Sequence, residues 1–102
     1  MNRGYTYHMK AKHVRDVKSL CDIPNVGPAM VRDFHALGIT EPAQLIDKDP
    51  YKLYKKLCTI TGVRQDPCVL DTYMAVVDFM NGGQPKPWYL YTDTRKKLYG
   101  TL

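Results

Sequence analysis

The sequence predicts an all-α domain, a small bundle of about five helices with an aromatic strap at the C-terminal end. Three observations carry the prediction. Apolar residues recur at three- and four-residue intervals, the segments that carry them open on Pro or Asp-Pro and close on Gly, and no strand-like alternation occurs before the last twenty residues. A chain of 102 residues has room for one modest core. Its hydrophobic fraction of 44% and charged fraction of 25% are those of an ordinary globular domain.

Each element has its own signal. Around residues 12–21, Val14, Val17, Leu20 and Cys21 share one face of a first helix, which the following prolines and Asn end. A second helix runs from Pro28 to about Leu37, with Val31, Phe34 and Leu37 at three-residue spacing and Gly38 as its stop. Thr40 caps a short third helix over "EPAQLI", where Pro42 sits in the first turn and loses no hydrogen bond. Asp49-Pro50 and Asp66-Pro67 each supply a capping carboxylate followed by proline at the first helical position. The helix after Asp49 carries Leu53, Tyr54, Leu57 and Cys58 and closes at Gly62. The helix after Asp66 closes at Gly82 and is apolar on much of its circumference: Leu70, Tyr73, Val77 and Met80, with Val69, Val76 and Phe79 beside them. It is the predicted centre of the core.

The last segment differs in kind. Pro85 and Pro87 forbid a continuous helix, "WYLY" has strand-like composition, and Thr92 or Asp93 caps a final short helix. It reads as a strap over the bundle, with Trp88, Tyr89, Leu90 and Tyr91 as satellite core. The chain thus divides into a basic N-terminal arm (1–11), a helical domain (12–83) and an aromatic, basic strap (84–102).

Charge and cysteine usage narrow the function classes. The net charge of +5 is uneven: residues 1–20 carry +4, residues 84–102 carry +3, and the stretch between them carries −2. Basic ends on a near-neutral body suit a polyanion such as nucleic acid. Cys21, Cys58 and Cys68 are odd in number and match no zinc spacing, so they read as buried thiols, with a redox pair of Cys58 and Cys68 as the alternative. No apolar run reaches the ~18 residues of a membrane span, and the N-terminus lacks the apolar region of a signal peptide, so the expected location is the cytoplasm. His8, His13 and His35 are too scattered for a metal set.

The stretch "IPNVGPAMV", Ile23 to Val31, has no charge although its flanks are basic. A tight turn needs residues that accept a positive φ; Gly27 does so freely and Asn25 is the best non-glycine substitute. Ile23 and Val26 pin the turn to the helices, and Pro28 starts the next helix with φ already set. The turn therefore delivers unpaired N–H groups and the positive end of a helix dipole to one place, which suits a phosphate without any charged side chain.

"LCDIPNVGPAMVRDFHALGITEPAQL" resembles a helix-hairpin-helix motif of the kind found in beta-type DNA polymerases and many repair proteins. The resemblance implies that backbone N–H groups of Asn25, Gly27 and Met30 hold a phosphate. It also implies that carbonyls of Cys21, Ile23 and Val26 hold a monovalent cation, K+ or Na+, beneath the turn; no other cofactor is expected. The sequence departs from the pattern at Asn25, where a glycine is usual, at branched Val31, and at Ala29 and Asp33, which leave Arg32 as the basic residue after the turn. Over residues 13–97, with "RQDPC" and "PWYLYT" as the specific parts, the chain also resembles the small bacterial family of pathogenicity-locus proteins. That resemblance implies DNA binding through the hairpin.

The function expected from these residues is a non-catalytic, sequence-independent nucleic-acid-binding module, with duplex DNA as the favoured ligand. Arg32, Lys10, Lys12, Arg15 and Lys18 form its charged rim, each phosphate contact adding to salt dependence. No base-reading element is present, and phosphate contacts position without specifying. An enzyme is not expected: no Walker motif, metal-spaced carboxylates or nucleophile constellation occurs, and a glycosylase needs a second helical domain to hold a flipped base. The alternative is a protein-interaction module that docks a repair or replication partner through the hairpin and strap. Lys52, Lys55 and Lys56 either lengthen the basic track or form an intrahelical charge face with Asp47 and Asp49, and Tyr5, Tyr7 and Tyr99 join the strap aromatics as candidates for base stacking. Asp66 reads as a cap before a catalytic carboxylate, and Cys68, if exposed at that helix start, has a lowered thiol pKa.

Overall fold

The structure, a computed structural model, describes residues 9–100 and 102. Tyr5, Tyr7 and His8 lie outside the described residues, as does most of the N-terminal arm. Among the described residues the chain is all-helical, with four α-helices, four 3-10 turns of three or four residues and no strand. The α-helices are α1 (Pro28–Ala36), α2 (Pro50–Thr61), α3 (Pro67–Met80) and α4 (Thr92–Tyr99).

These helices start and stop where local chemistry tells them to. All of α1, α2 and α3 begin with proline, which forfeits no bond in the first turn. The Asp49 carboxylate accepts the N–H of Tyr51 at 2.9 Å, and the Asp66 carboxylate accepts that of Cys68 at 2.9 Å. At the end of α1, Gly38 takes φ +82°, so that Gly38 N–H reaches His35 O at 3.0 Å and Ile39 N–H reaches Phe34 O at 2.8 Å. The predicted stop there is thus a Schellman ending.

Helix α3 is the hub. Leu70, Tyr73, Ala75, Val76, Val77, Phe79 and Met80 are buried on it, and α2 meets it with Leu53, Tyr54 and Leu57. Phe34 of α1 stacks on Tyr73 with ring centroids 5.3 Å apart. Ile23 and Val26, on either side of the uncharged turn, are fully buried in the same cluster. The turn is therefore clamped to the core by its apolar residues, as the sequence predicts.

Four sequence expectations need correction. The segment 12–21 is not an α-helix: it forms two 3-10 turns, Val14–Asp16 and Leu20–Asp22, separated by extended backbone. The Asp22 carboxylate accepts the N–H groups of Lys18 at 2.9 Å and Ser19 at 3.0 Å, a local alternative to helical bonding in a stretch already weakened by β-branched Val14 and Val17. "EPAQLI" makes a single 3-10 turn, Pro42–Leu45, closed by Gln44, whose side-chain oxygen accepts the N–H groups of Thr40 and Glu41; Thr40 is not its cap. "WYLY" is a 3-10 turn, Trp88–Tyr91, not a strand, because a lone extended segment would find no neighbour for its ladder bonds. Its side chains are not satellite core either, since Tyr89 is 60% and Leu90 58% exposed.

The C-terminal segment is bound to the bundle by polar contacts as well as by apolar packing of Tyr99 and Leu102 against the core. Arg95 of α4 donates through Nε to Asp71 of α3 at 2.7 Å, and both side chains are buried. The Thr92 hydroxyl donates to the other carboxylate oxygen at 2.8 Å, and the Tyr91 hydroxyl donates to Asp78 at 2.6 Å. The ion pair holds the Arg95 guanidinium above its ordinary pKa, and burial together with the Asp78 carboxylate raises the Tyr91 phenol.

Candidate nucleic-acid interface

The uncharged turn runs from the 3-10 turn Leu20–Asp22 into the N-terminus of α1. Asn25 takes φ +73°, as its short polar side chain allows. Gly27 does not use its freedom: it caps α1 with φ −105° and ψ −178°, extended backbone open to any residue. The expectation of a positive φ there is corrected, since a helix cap sits in the β region while Asn25 alone reverses the chain. A Cβ at Gly27 would meet no atom of the described residues within 4 Å beyond its chain neighbours. The fold thus requires a glycine here neither for strain nor for space.

The backbone donors of the turn divide into two sets. Val26 N–H donates to Ile23 O at 3.1 Å, and Val31 N–H donates to Gly27 O at 3.0 Å. The N–H groups of Asn25, Gly27, Ala29 and Met30 have no hydrogen-bond partner among the described residues. Pro28 and Ala29 are exposed, whereas Met30 turns its side chain onto the core. Unsatisfied donors at the start of a nine-residue helix, with the helix dipole behind them, are suited to an anion.

Beneath the turn, the carbonyls implied to hold a cation are already engaged. The Lys10 ammonium donates to Cys21 O at 2.6 Å and to Val26 O at 2.5 Å, while Ile23 O accepts from Val26 N–H. A free K+ or Na+ does not fit among carbonyls so occupied. Lys10 is thereby also removed from the charged rim, because its ammonium faces inward.

The remaining rim is looser. Lys12, Arg15, Lys18 and Arg32 are exposed. Lys12 follows Ala11, whose N–H donates to Asp22 O at 2.8 Å, and Lys18 is tied through its own N–H to the Asp22 carboxylate, so both backbones lie beside the first limb of the turn. Arg15 sits in the Val14–Asp16 turn, and among the described residues no hydrogen bond or ion pair ties its side chain to the turn at Asn25.

Long-range contacts add residues that local sequence signals do not reach. The Asn25 side chain donates to Lys86 O at 2.8 Å and accepts the N–H of Trp88 at 3.2 Å, bridging the tip of the turn to the strap. Lys86 and the edge-to-face pair of Trp88 and Tyr89, centroids 5.8 Å apart, are brought beside the donors. Tyr99 goes elsewhere, stacking on Tyr51 at 4.4 Å, and Lys55 lies 5.5 Å from the Tyr51 ring.

The other sequence candidates have ordinary roles. Cys21, Cys58 and Cys68 are free thiols. The Cys58 sulfur accepts the N–H of Gln65, and burial, reinforced by Asp66, pushes the Cys68 thiol up rather than down. Asp66 is a cap, and the N–H of Cys68 holds its carboxyl below the ordinary value. No helix among the described residues is long and apolar enough to cross a membrane.

Fold and site together define a small all-helical domain that presents backbone donors on a turn pinned to its core. The chain belongs to the Cdd1 pathogenicity-locus family, whose model matches residues 13–97. It is similar to the mitomycin resistance protein McrB of Streptomyces lavendulae, with 46% identity over 83 residues, 81% of this chain and 79% of that protein. No solved structure matches it.

Proposed function

We propose that the chain is a non-catalytic, sequence-independent DNA-binding module of the bacterial cytoplasm, in which a helix-hairpin-helix turn grips phosphate through its backbone. Asn25, Gly27 and Met30 supply the N–H donors, and Arg32, Lys12, Arg15 and Lys18 add electrostatic attraction. Duplex DNA is the favoured ligand. The observation that carries the reading is Gly27: neither backbone strain nor crowding calls for a glycine, yet its bare Cα stands among unpaired donors at a helix start. An approaching phosphate accounts for the missing side chain. The strap contributes Lys86 as a further charge, and Trp88 and Tyr89 offer rings to unpaired bases at a nick or end.

The test is fluorescence anisotropy of labelled duplex and single-stranded DNA, titrated with wild type and Gly27→Val at two salt concentrations. The extended cap accepts a branched residue and its Cβ meets nothing within 4 Å, so the variant is expected to fold at the modest cost of a poorer helix cap, which circular dichroism checks, while its side chain stands where the phosphate would come. Binding should weaken with salt and fall at least about tenfold in the variant, the equivalent of one charge-assisted hydrogen bond.

One observation favours a second reading. Tyr89, Leu90 and Leu98 are each more than half exposed, with Trp88 beside them, and such a run suits docking of a repair or replication protein. Absence of DNA binding at low salt, or equal binding by Gly27→Val, would shift the function to that surface.

A further inference from the structure

We propose that the Lys10 ammonium is a built-in substitute for the monovalent cation under the hairpin, so that the turn is held by a tethered charge and is indifferent to K+ and Na+. The argument begins with the two carbonyls. Cys21 O precedes the turn and Val26 O follows it, and both converge on one atom, Lys10 Nζ, at 2.6 and 2.5 Å. A cation shared by the two limbs draws them together as a metal ion would. An ammonium carries the same single charge as K+, but it has three donors, and two are spent on these oxygens.

The placement is prepared by the backbone. Ala11 N–H donates to Asp22 O at 2.8 Å, which fixes the chain next to Lys10 against the first limb of the turn. The lysine stem is half-buried, and Ala11 beside it packs against the core. Only the carbonyl of Ile23 remains from the implied cation set, and Val26 N–H takes it at 3.1 Å. Val26 C=O and Gly27 N–H belong to one trans peptide and point in opposite directions, so the charge held at Val26 O lies behind the open Gly27 N–H and reinforces its positive potential. Tethering makes the cation's local concentration independent of the solution, because the ordering entropy is met at folding.

The test needs no nucleic acid, so its outcome is separable from that of the DNA-binding reading. Thermal unfolding of wild type would be followed in KCl, NaCl and N-methylglucamine chloride at equal ionic strength, beside Lys10→Met and the exposed-residue control Lys12→Met. Met keeps the apolar stem and removes the ammonium. Wild type and Lys12→Met should show one Tm in all three salts, whereas Lys10→Met should be several degrees less stable in N-methylglucamine and recover part of the loss in K+. A wild-type Tm that depends on K+, or a Lys10→Met Tm equal to wild type in every salt, would overturn the proposal. Should Lys10→Met fail to fold, a lysine-ammonium-selected 1H–15N spectrum of wild type decides: one slowly exchanging ammonium assigned to Lys10 supports the tethered cation, and its absence refutes it.

Discussion

The Asp71–Arg95 pair is the point at which α4 and the strap depend most on a single interaction, and Arg95→Met should expose that dependence. In the folded chain the Asp71 carboxylate accepts Arg95 Nε at 2.7 Å, Arg95 Nη2 at 3.4 Å and the Thr92 hydroxyl at 2.8 Å, with its side chain 2% exposed. Removing the guanidinium leaves a buried charge with one neutral donor. Breaking such a pair from one side costs about 3–5 kcal/mol, a large part of the ~5–15 kcal/mol by which a domain is stable. Replacing both partners by apolar groups of similar size is often neutral, so Asp71→Leu with Arg95→Met should recover most of the loss. Urea unfolding would be followed by far-UV circular dichroism and by the fluorescence of Trp88, the sole tryptophan, which lies in the turn leading into α4. Because the strap reaches the hairpin through Asn25, the single variant should lose the Trp88 signal before the helices melt. A destabilisation below about 1 kcal/mol in Arg95→Met, or a double variant no better than the single, would show that the pair does not hold the segment.

Two further outcomes follow from individual groups. Among the described residues the buried Tyr73 hydroxyl has no hydrogen-bond partner, and burial raises its pKa, so Tyr73→Phe should leave stability unchanged or raise it by up to about 1–3 kcal/mol; a loss above about 1 kcal/mol in urea unfolding would mean that the hydroxyl is satisfied. The Asp66 carboxyl is held below its ordinary value of 3.8 by the N–H of Cys68, so its contribution is fully present above that value and is lost as pH falls through the lower, folded value. Thermal melts from neutral pH to about pH 3 should therefore show a shallower acid-side loss in Asp66→Asn, which keeps a cap acceptor without the charge; identical slopes would contradict the shift.

The candidate site was legible in part. Asn25 at positive φ, buried Ile23 and Val26, and donors open at the start of α1 follow from the composition of "IPNVGPAMV" alone, because turn and cap chemistry acts within three or four residues. Gly27 was given the wrong task for the same reason. Composition shows that a glycine is present, but only the folded structure shows that its φ is ordinary and that a Cβ there would meet nothing within 4 Å. Lys10 looked like one more rim charge, since nothing local distinguishes it from Lys12.

The sequence by itself determined helices α1, α2 and α3, their proline and aspartate starts, the glycine-marked ends of α1 and α2, and the apolar faces that make α3 the centre of the core. Those features are set by bonds between near neighbours and by burial of a periodic stripe. Tertiary structure alone decided that "WYLY" curls rather than extends, and that Lys10, Asp71 with Arg95, and Asn25 with the strap find their partners. These contacts join residues 11 to 63 positions apart. A side chain that can serve a rim, a core or a carbonyl equally well takes its role from whichever partner the packed helices bring within reach.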